Sequence, residues 1–241
     1  MYADDLILVS ASLCQLQKII NICVDELSEI NLSINTKKCA LIRIGRRAAN
    51  SCCPLYIDGN VLPLTSEFRY LGVFMKTGTV LKFNFDYAKQ KFYMSANGIL
   101  SKIGNKPELV VPLINAFGNP LLLYGTESMG LTQSEKYRLN LPYFRLFGKL
   151  FHTFDSSVIA YCQFYMGCLP INYIIDMRII KVLTKLKNSG NKILKVIFSI
   201  CGYNMLKELF AKYDIKPGNG TDNFCKRYMW CDFISKNNIS V

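Results

Sequence analysis

Two adjacent carboxylates, Asp4 and Asp5, stand directly ahead of the continuous apolar run Leu6-Ile7-Leu8-Val9, which Ser10 to Ser12 then breaks. A short apolar run of this kind predicts a strand buried on both faces. Such a strand needs neighbours, and only Met1 to Ala3 precede the acidic pair, so we expect a truncated chain. Paired carboxylates at a strand turn are the hard oxygen ligands that Mg²⁺ prefers, and two such ions can clamp an attacking and a leaving oxygen. A bare Asp-Asp also reads as a solvated acidic turn. Only the order of the residues downstream can decide between them.

Ser12-Leu13-Cys14-Gln15 has the form of a capping box. Leu13, Leu16, Ile19/Ile20, Cys23, Leu27 and Ile30 then recur at three- and four-residue steps, predicting an amphipathic helix packed on a sheet. Asn31 to Asn35 alternates, and Cys39 to Gly45 reads as a further strand. Asp58-Gly59 between apolar runs is a hairpin signal. Phe68-Arg69-Tyr70-Leu71-Gly72-Val73-Phe74 reads as one more strand. The class is α+β, with a helix on one face of a sheet.

Tyr2-Ala3-Asp4-Asp5, a helix, Asn35-x-x-Lys38 and Phe68-Arg69-Tyr70-Leu71-Gly72, in this order, resemble the back half of a reverse transcriptase palm, most closely that of LINE-type (non-LTR) retrotransposons. Leu121-Leu122-Leu123-Tyr124-Gly125-Thr126-Glu127 and Cys168-Leu169-Pro170-Ile171 with Arg178 are similar to later stretches of these polyproteins. The resemblance covers about residues 1–187, most strongly to Gly72.

The resemblance implies an RNA-directed DNA polymerase. Asp4 and Asp5 would hold paired Mg²⁺, Lys38 would neutralise the departing pyrophosphate, and Tyr2 would line the primer end. Tyr70, Leu71 and Gly72 would seat the primer strand. The partners implied are an RNA template and a DNA primer. The family also uses a third metal-binding aspartate on an earlier strand. Asp58 in a hairpin turn and Asp86 in a basic segment do not replace it, so the isolated chain is expected not to polymerise. A non-catalytic remnant that holds primer–template duplex is the alternative.

The fold expected is a partial palm antiparallel sheet with a packed helix at 1–80, an α-helical thumb at 81–150 and a mostly helical C-terminal region at 151–241. Tyr87, Phe92/Tyr93, Ala96, Ile99/Leu100 and Ile103 predict a helix from Asp86 to Ile103, with Lys89, Lys91 and Lys102 beside the aromatics as candidate phosphate contacts. The 241 residues carry a net charge of +12, which directs attention to a polyanionic partner. That charge is unevenly spread: residues 1–35 hold one base and five acids, and residues 36–106 hold twelve bases and three acids.

Ten cysteines without a Cys-x-x-Cys pair, and a single histidine, His152, argue against structural zinc. Reduced thiols in apolar surroundings suit an intracellular compartment, nucleus or cytoplasm. Ser156 to Ile175 is free of charge, but its Gln163, Gly167, Pro170 and Asn172 mark a buried core segment, and no membrane span is expected.

Overall fold

The computed structural model describes residues 4–50, 52–216 and 222–239, with the side chains of Asp222 and Asn223 left aside. The chain forms two compact units, Met1–Asn84 and Phe85–Val241. It is an α+β protein, its sheets lying in the first unit and its main helical core in the second.

In the first unit, α1 (Leu13–Glu29) buries Leu16 and Ile20 against Leu55 and Ile57, as its three- and four-residue spacing requires. Leu8, Val24, Ile34, Cys39, Leu41 and Leu62 complete this small cluster. The capping box does not form. Ser12 occupies the N-cap without a side-chain bond. Ser10 instead accepts from the Ser12 amide at 3.3 Å, and its hydroxyl donates to Gln15 at 3.4 Å. The helix ends where Asn31 turns left-handed (φ 55°) and the Leu32 amide donates back to the Leu27 carbonyl.

Gln17 ties α1 to the strand β1 (Tyr56–Ile57). Its side-chain amide donates to the Tyr56 carbonyl and its oxygen accepts from the Tyr56 amide, both at 2.8 Å. The side chain thus completes the hydrogen bonding of one edge residue as a neighbouring strand would. β1 pairs antiparallel with β2 (Asn60–Val61) through Asp58-Gly59, whose φ values of 45° and 75° fit a type I′ turn.

Two strand expectations are corrected. Leu6 to Val9 pairs with no described strand. Leu6, Ile7 and Val9 are exposed, Val9 at 84%, and only Leu8 turns into the cluster. Cys39 to Gly45 is not a strand but makes single parallel bridges, Leu41 to Leu64 and Ile44 to Gly78. Pro63 accepts from the Leu41 amide but has no N–H with which to extend the ladder.

The segment Phe68 to Phe74 is a hairpin rather than one strand. β3 (Glu67–Tyr70) and β4 (Val73–Lys76) pair with Tyr70 opposite Val73, and β5 (Lys82–Asn84) adds to the far edge of β4. Glu67 faces Lys76 across the ladder at 3.5 Å and accepts from the Asn84 side chain at 3.1 Å.

The second unit opens with α2 (Asp86–Ile103), which has the predicted bounds and buries Phe92 and Ala96. Pro107 to Ser128 continues the chain as α3 (Pro107–Leu113), a π turn at Ile114–Gly118, α4 (Asn119–Leu123) and a 3-10 turn. Length and composition alone would let this segment cross a membrane. It carries Pro112 and Pro120, however, and buries Val110, Val111, Ile114, Leu122 and Leu123 in the core. Then come α5 (Gln133–Leu150), α6 (Ser156–Tyr165) and α7 (Ile171–Lys187). Thr132 caps α5 in a full capping box with Glu135. The charge-free run breaks at Gly167 (φ 65°) and Pro170, and Ile159, Leu169, Ile171 and Ile175 are core. The remaining helices are α8 (Lys192–Ile197), α9 (Tyr203–Lys212) and α10 (Asp222–Lys236).

One charge lies inside this core. Asp176 on α7 is fully buried and accepts from Lys136 of α5, from Lys212 of α9 at 2.6 Å and from the Tyr213 hydroxyl at 2.7 Å. Burial by itself raises the Asp176 carboxyl, but the hydrogen bonds from Lys136, Lys212 and Tyr213 overcome it and hold the group below the usual carboxylate range. Burial, then the Asp176 charge, pushes the Tyr213 hydroxyl far up, so it remains a donor.

A depressed folded-state carboxylate contributes stability that is present above its unfolded value, about 4, and lost as pH falls through the lower folded value. Asp176→Asn is expected to cost roughly 3–5 kcal/mol, because it strands Lys136 in the core. It should also flatten the acid limb of stability, measured by urea unfolding between about pH 7 and pH 2.

Candidate catalytic motif and nucleic-acid interface

Asp4 lies in a turn and Asp5 at a single bridge position, and both are exposed. The segment is anchored by Leu8, three residues after Asp5, in the α1–β1 cluster. Cys39, the residue after Lys38, packs against the same cluster, and burial pushes its thiol up. One small apolar core therefore holds the chain beside both candidate positions.

Tyr2 lies outside the described residues. Lys38 is the last residue of the 3-10 turn Thr36–Lys38 and is exposed. That turn is set by Asn35, whose side-chain oxygen accepts from the Lys37 amide at 3.2 Å, while its carbonyl accepts from the Lys38 amide at 3.0 Å.

Magnesium commonly takes one or two protein carboxylates, completes its shell with water and substrate phosphates, and is suited in kind by Asp4 and Asp5. They fall short in number for a two-ion clamp. Among the described residues no group of three His, Cys, Asp or Glu side chains is placed to hold a metal.

Tyr70-Leu71-Gly72 forms the tip of the β3–β4 hairpin. Leu71 and Gly72 have φ values of 46° and 83°, so both central residues of this two-residue loop are left-handed. Gly72 takes that conformation without steric cost, whereas Leu71 does not. The Leu71 side chain is 37% exposed, and Tyr70 is half-buried at the strand end. Arg69 stacks its guanidinium over the Phe74 ring across the ladder at 5.7 Å. The tip is a strained apolar turn whose strain is carried by Leu71.

Lys89, Lys91 and Lys102 do not share one face of α2. At 100° per residue, Lys91 and Lys102 fall within about 20° of each other, roughly 100–120° around the helix from the centre of the stripe that buries Phe92 and Ala96. Lys89 borders the buried stripe and pairs with Asp86 at 3.2 Å. Lys91 also lies over the Tyr87 ring at 5.4 Å. The surface basic pair is thus Lys91 and Lys102. His152, left-handed at the end of α5, shares a 2.9 Å hydrogen bond with Asn105.

Residues 1–75 match the family model described as reverse transcriptase (RNA-dependent DNA polymerase). The matched span runs from the acidic pair through α1 and both hairpins into β4. No curated protein and no solved structure matches the chain. The match lies within the first unit.

The hairpin tip offers a direct check. Leu71→Gly removes the left-handed penalty and is expected to stabilise β3–β4 by about 1 kcal/mol. That is roughly a fivefold slowing of amide exchange along the two strands. Faster exchange would show that Leu71 stabilises the tip by contacts exceeding its strain.

Proposed function

We propose that this chain is the part of a LINE-type (non-LTR) retrotransposon reverse transcriptase that runs from the Tyr-Ala-Asp-Asp motif through the primer grip into a helical thumb. The observation that carries the reading is the family match over residues 1–75, together with the order of Asp4-Asp5, α1, the Asn35-to-Lys38 turn and the Tyr70-Leu71-Gly72 tip within it.

In this reading Asp4 is a Mg²⁺ ligand and Asp5 a further ligand or an electrostatic support. The metal, when bound, lowers the cost of negative charge on the attacking and leaving oxygens. Lys38, on a turn held by Asn35 and free to extend, neutralises the pyrophosphate as it departs. Tyr70, Leu71 and Gly72 contact the primer strand, and Tyr2 lies at the primer end. Lys91 and Lys102 contact phosphates of an RNA–DNA duplex, while Lys89 stands on another side of α2. The ten unpaired cysteines support an intracellular site of action, nucleus or cytoplasm.

Among the described residues Asp4 and Asp5 are too few ligands for two ions, so in this reading the chain by itself holds duplex without extending it. This is also where a purely binding role, the second reading, finds its support.

Primer extension separates the two. In a polymerase-competent form that supplies a third metal-binding carboxylate, Asp4→Asn is expected to reduce extension at least about a hundredfold with duplex affinity retained. Full activity in Asp4→Asn would overturn the assignment of the site. Salt-sensitive duplex binding with no extension in any such form would favour the binding role.

A further inference from the structure

The two stretches after the matched segment, Leu121 to Glu127 and Cys168 to Arg178, meet in the second unit. Arg178 Nη1 donates to the Leu123 carbonyl at 2.6 Å and lies 3.5 Å from Glu127 Oε2. Beside this junction is a cavity of about 310 Å³. Its walls are largely apolar, including Leu123, Leu169 and Met177, and Arg178 and Lys226 supply its positive charge. A volume near 300 Å³ is at the small end of ligand sites, and apolar walls with few polar groups are their usual make-up.

One of the groups lining this cavity is a buried acceptor with no donor. Asn119 is 4% exposed, and its Nδ2 donates to Asn115 Oδ1 at 2.8 Å. Asn115 is itself fixed, accepting from the Tyr143 hydroxyl at 3.0 Å and donating to Cys168 Sγ at 3.3 Å. That network sets which way the Asn119 amide faces and leaves Asn119 Oδ1 without a partner among the described residues. Burial pushes the Tyr143 hydroxyl well up, so it stays protonated, and it donates to Asn115. A buried oxygen of this kind calls for an N–H or O–H from whatever fills the space.

We infer that this cavity binds one nucleotide unit, its base amine on Asn119 Oδ1, its ring between the apolar walls and its phosphate at Arg178 and Lys226. A nucleobase is flat, has an apolar face for Leu123 and Met177, and carries N–H donors on its edge. The Arg178 guanidinium spends one N–H on Leu123 and keeps further donors of its fork for a phosphate. Glu127 offsets part of the Arg178 charge, which leaves Lys226 as the group that attracts the phosphate. The site lies wholly in the second unit and stands apart from the roles proposed for Asp4 and Asp5.

Equilibrium titration of the full chain tests it with AMP, N6,N6-dimethyl-AMP and inorganic phosphate. AMP is expected to bind saturably, and removal of both amine protons should weaken it roughly tenfold. Asn119→Leu should abolish that difference. Lys226→Ala, a change of an exposed residue, should weaken AMP severalfold at unchanged melting temperature, and it decides the matter should Asn119→Leu fail to fold. Hexaadenylate that binds more tightly than AMP and is displaced by it identifies the source as a base turned out of a strand. Hexaadenylate no tighter than AMP identifies a free nucleotide. Phosphate binding as tight as AMP, the absence of saturation at millimolar AMP, or AMP binding unchanged by Lys226→Ala would overturn the inference.

Discussion

A carboxylate withdrawn entirely from water organises the helical unit. Left alone in an apolar interior, Asp176 would carry a desolvation cost of several kcal/mol. Lys136, Lys212 and Tyr213 remove that cost only if α5 and the end of α9 lie against one particular face of α7. The network therefore sets the rotation of α7 as well as its position. Ile174, Met177 and Arg178 fall on other faces of the same helix and line the cavity. Repacking α7 with an apolar residue at 176 would release this rotational constraint, whatever it did to stability.

The first unit is built on a different scale. Its core has four buried side chains, and much of its order comes from polar devices: the Gln17 clamp on Tyr56, the Asn35 turn and two type I′ hairpins. Each device fixes a short stretch of backbone next to a candidate functional residue. Asp5 and Lys38 border the same cluster, and Leu71 sits where its backbone is least comfortable. A small core with exposed, locally braced loops suits a surface that meets a large partner, because loops held by a scaffold present side chains without having to be ordered on binding.

Local signals in the chain are readable where the physics is local. The spacing of Leu16 and Ile20 marks α1, Asp58-Gly59 marks a hairpin, and the aromatic periodicity marks α2 to its ends. The β3–β4 hairpin is hidden because leucine gives no sign of a left-handed backbone, so Phe68 to Phe74 looks like one strand. The Cys39 to Gly45 strand is lost to Pro63, which lies distant in sequence and denies the next ladder bond. Gln17 looks like an ordinary exposed helix residue until Tyr56 is beside it. Asp176 comes after the charge-free run with no local mark of its burial. The stretches at 121–127 and 168–178 stand out in the sequence, but only the Arg178 to Leu123 hydrogen bond shows that they share a cavity. Of the candidate site, the order of its motifs is legible in the chain, whereas the separation of Lys89 from Lys91 and Lys102 on α2 emerges only from the helix geometry.

At the centre of the proposed function, Asp4 and Asp5 hold a divalent ion against nucleic-acid phosphates. Electron paramagnetic resonance of Mn²⁺ added to the chain with an RNA–DNA primer–template duplex addresses it without requiring turnover. If the two aspartates are ligands, the free Mn²⁺ signal falls on adding the chain to the duplex and recovers in the Asp4→Asn, Asp5→Asn double variant while duplex affinity persists. The same bound fraction of Mn²⁺ in the double variant and the unaltered chain would contradict it.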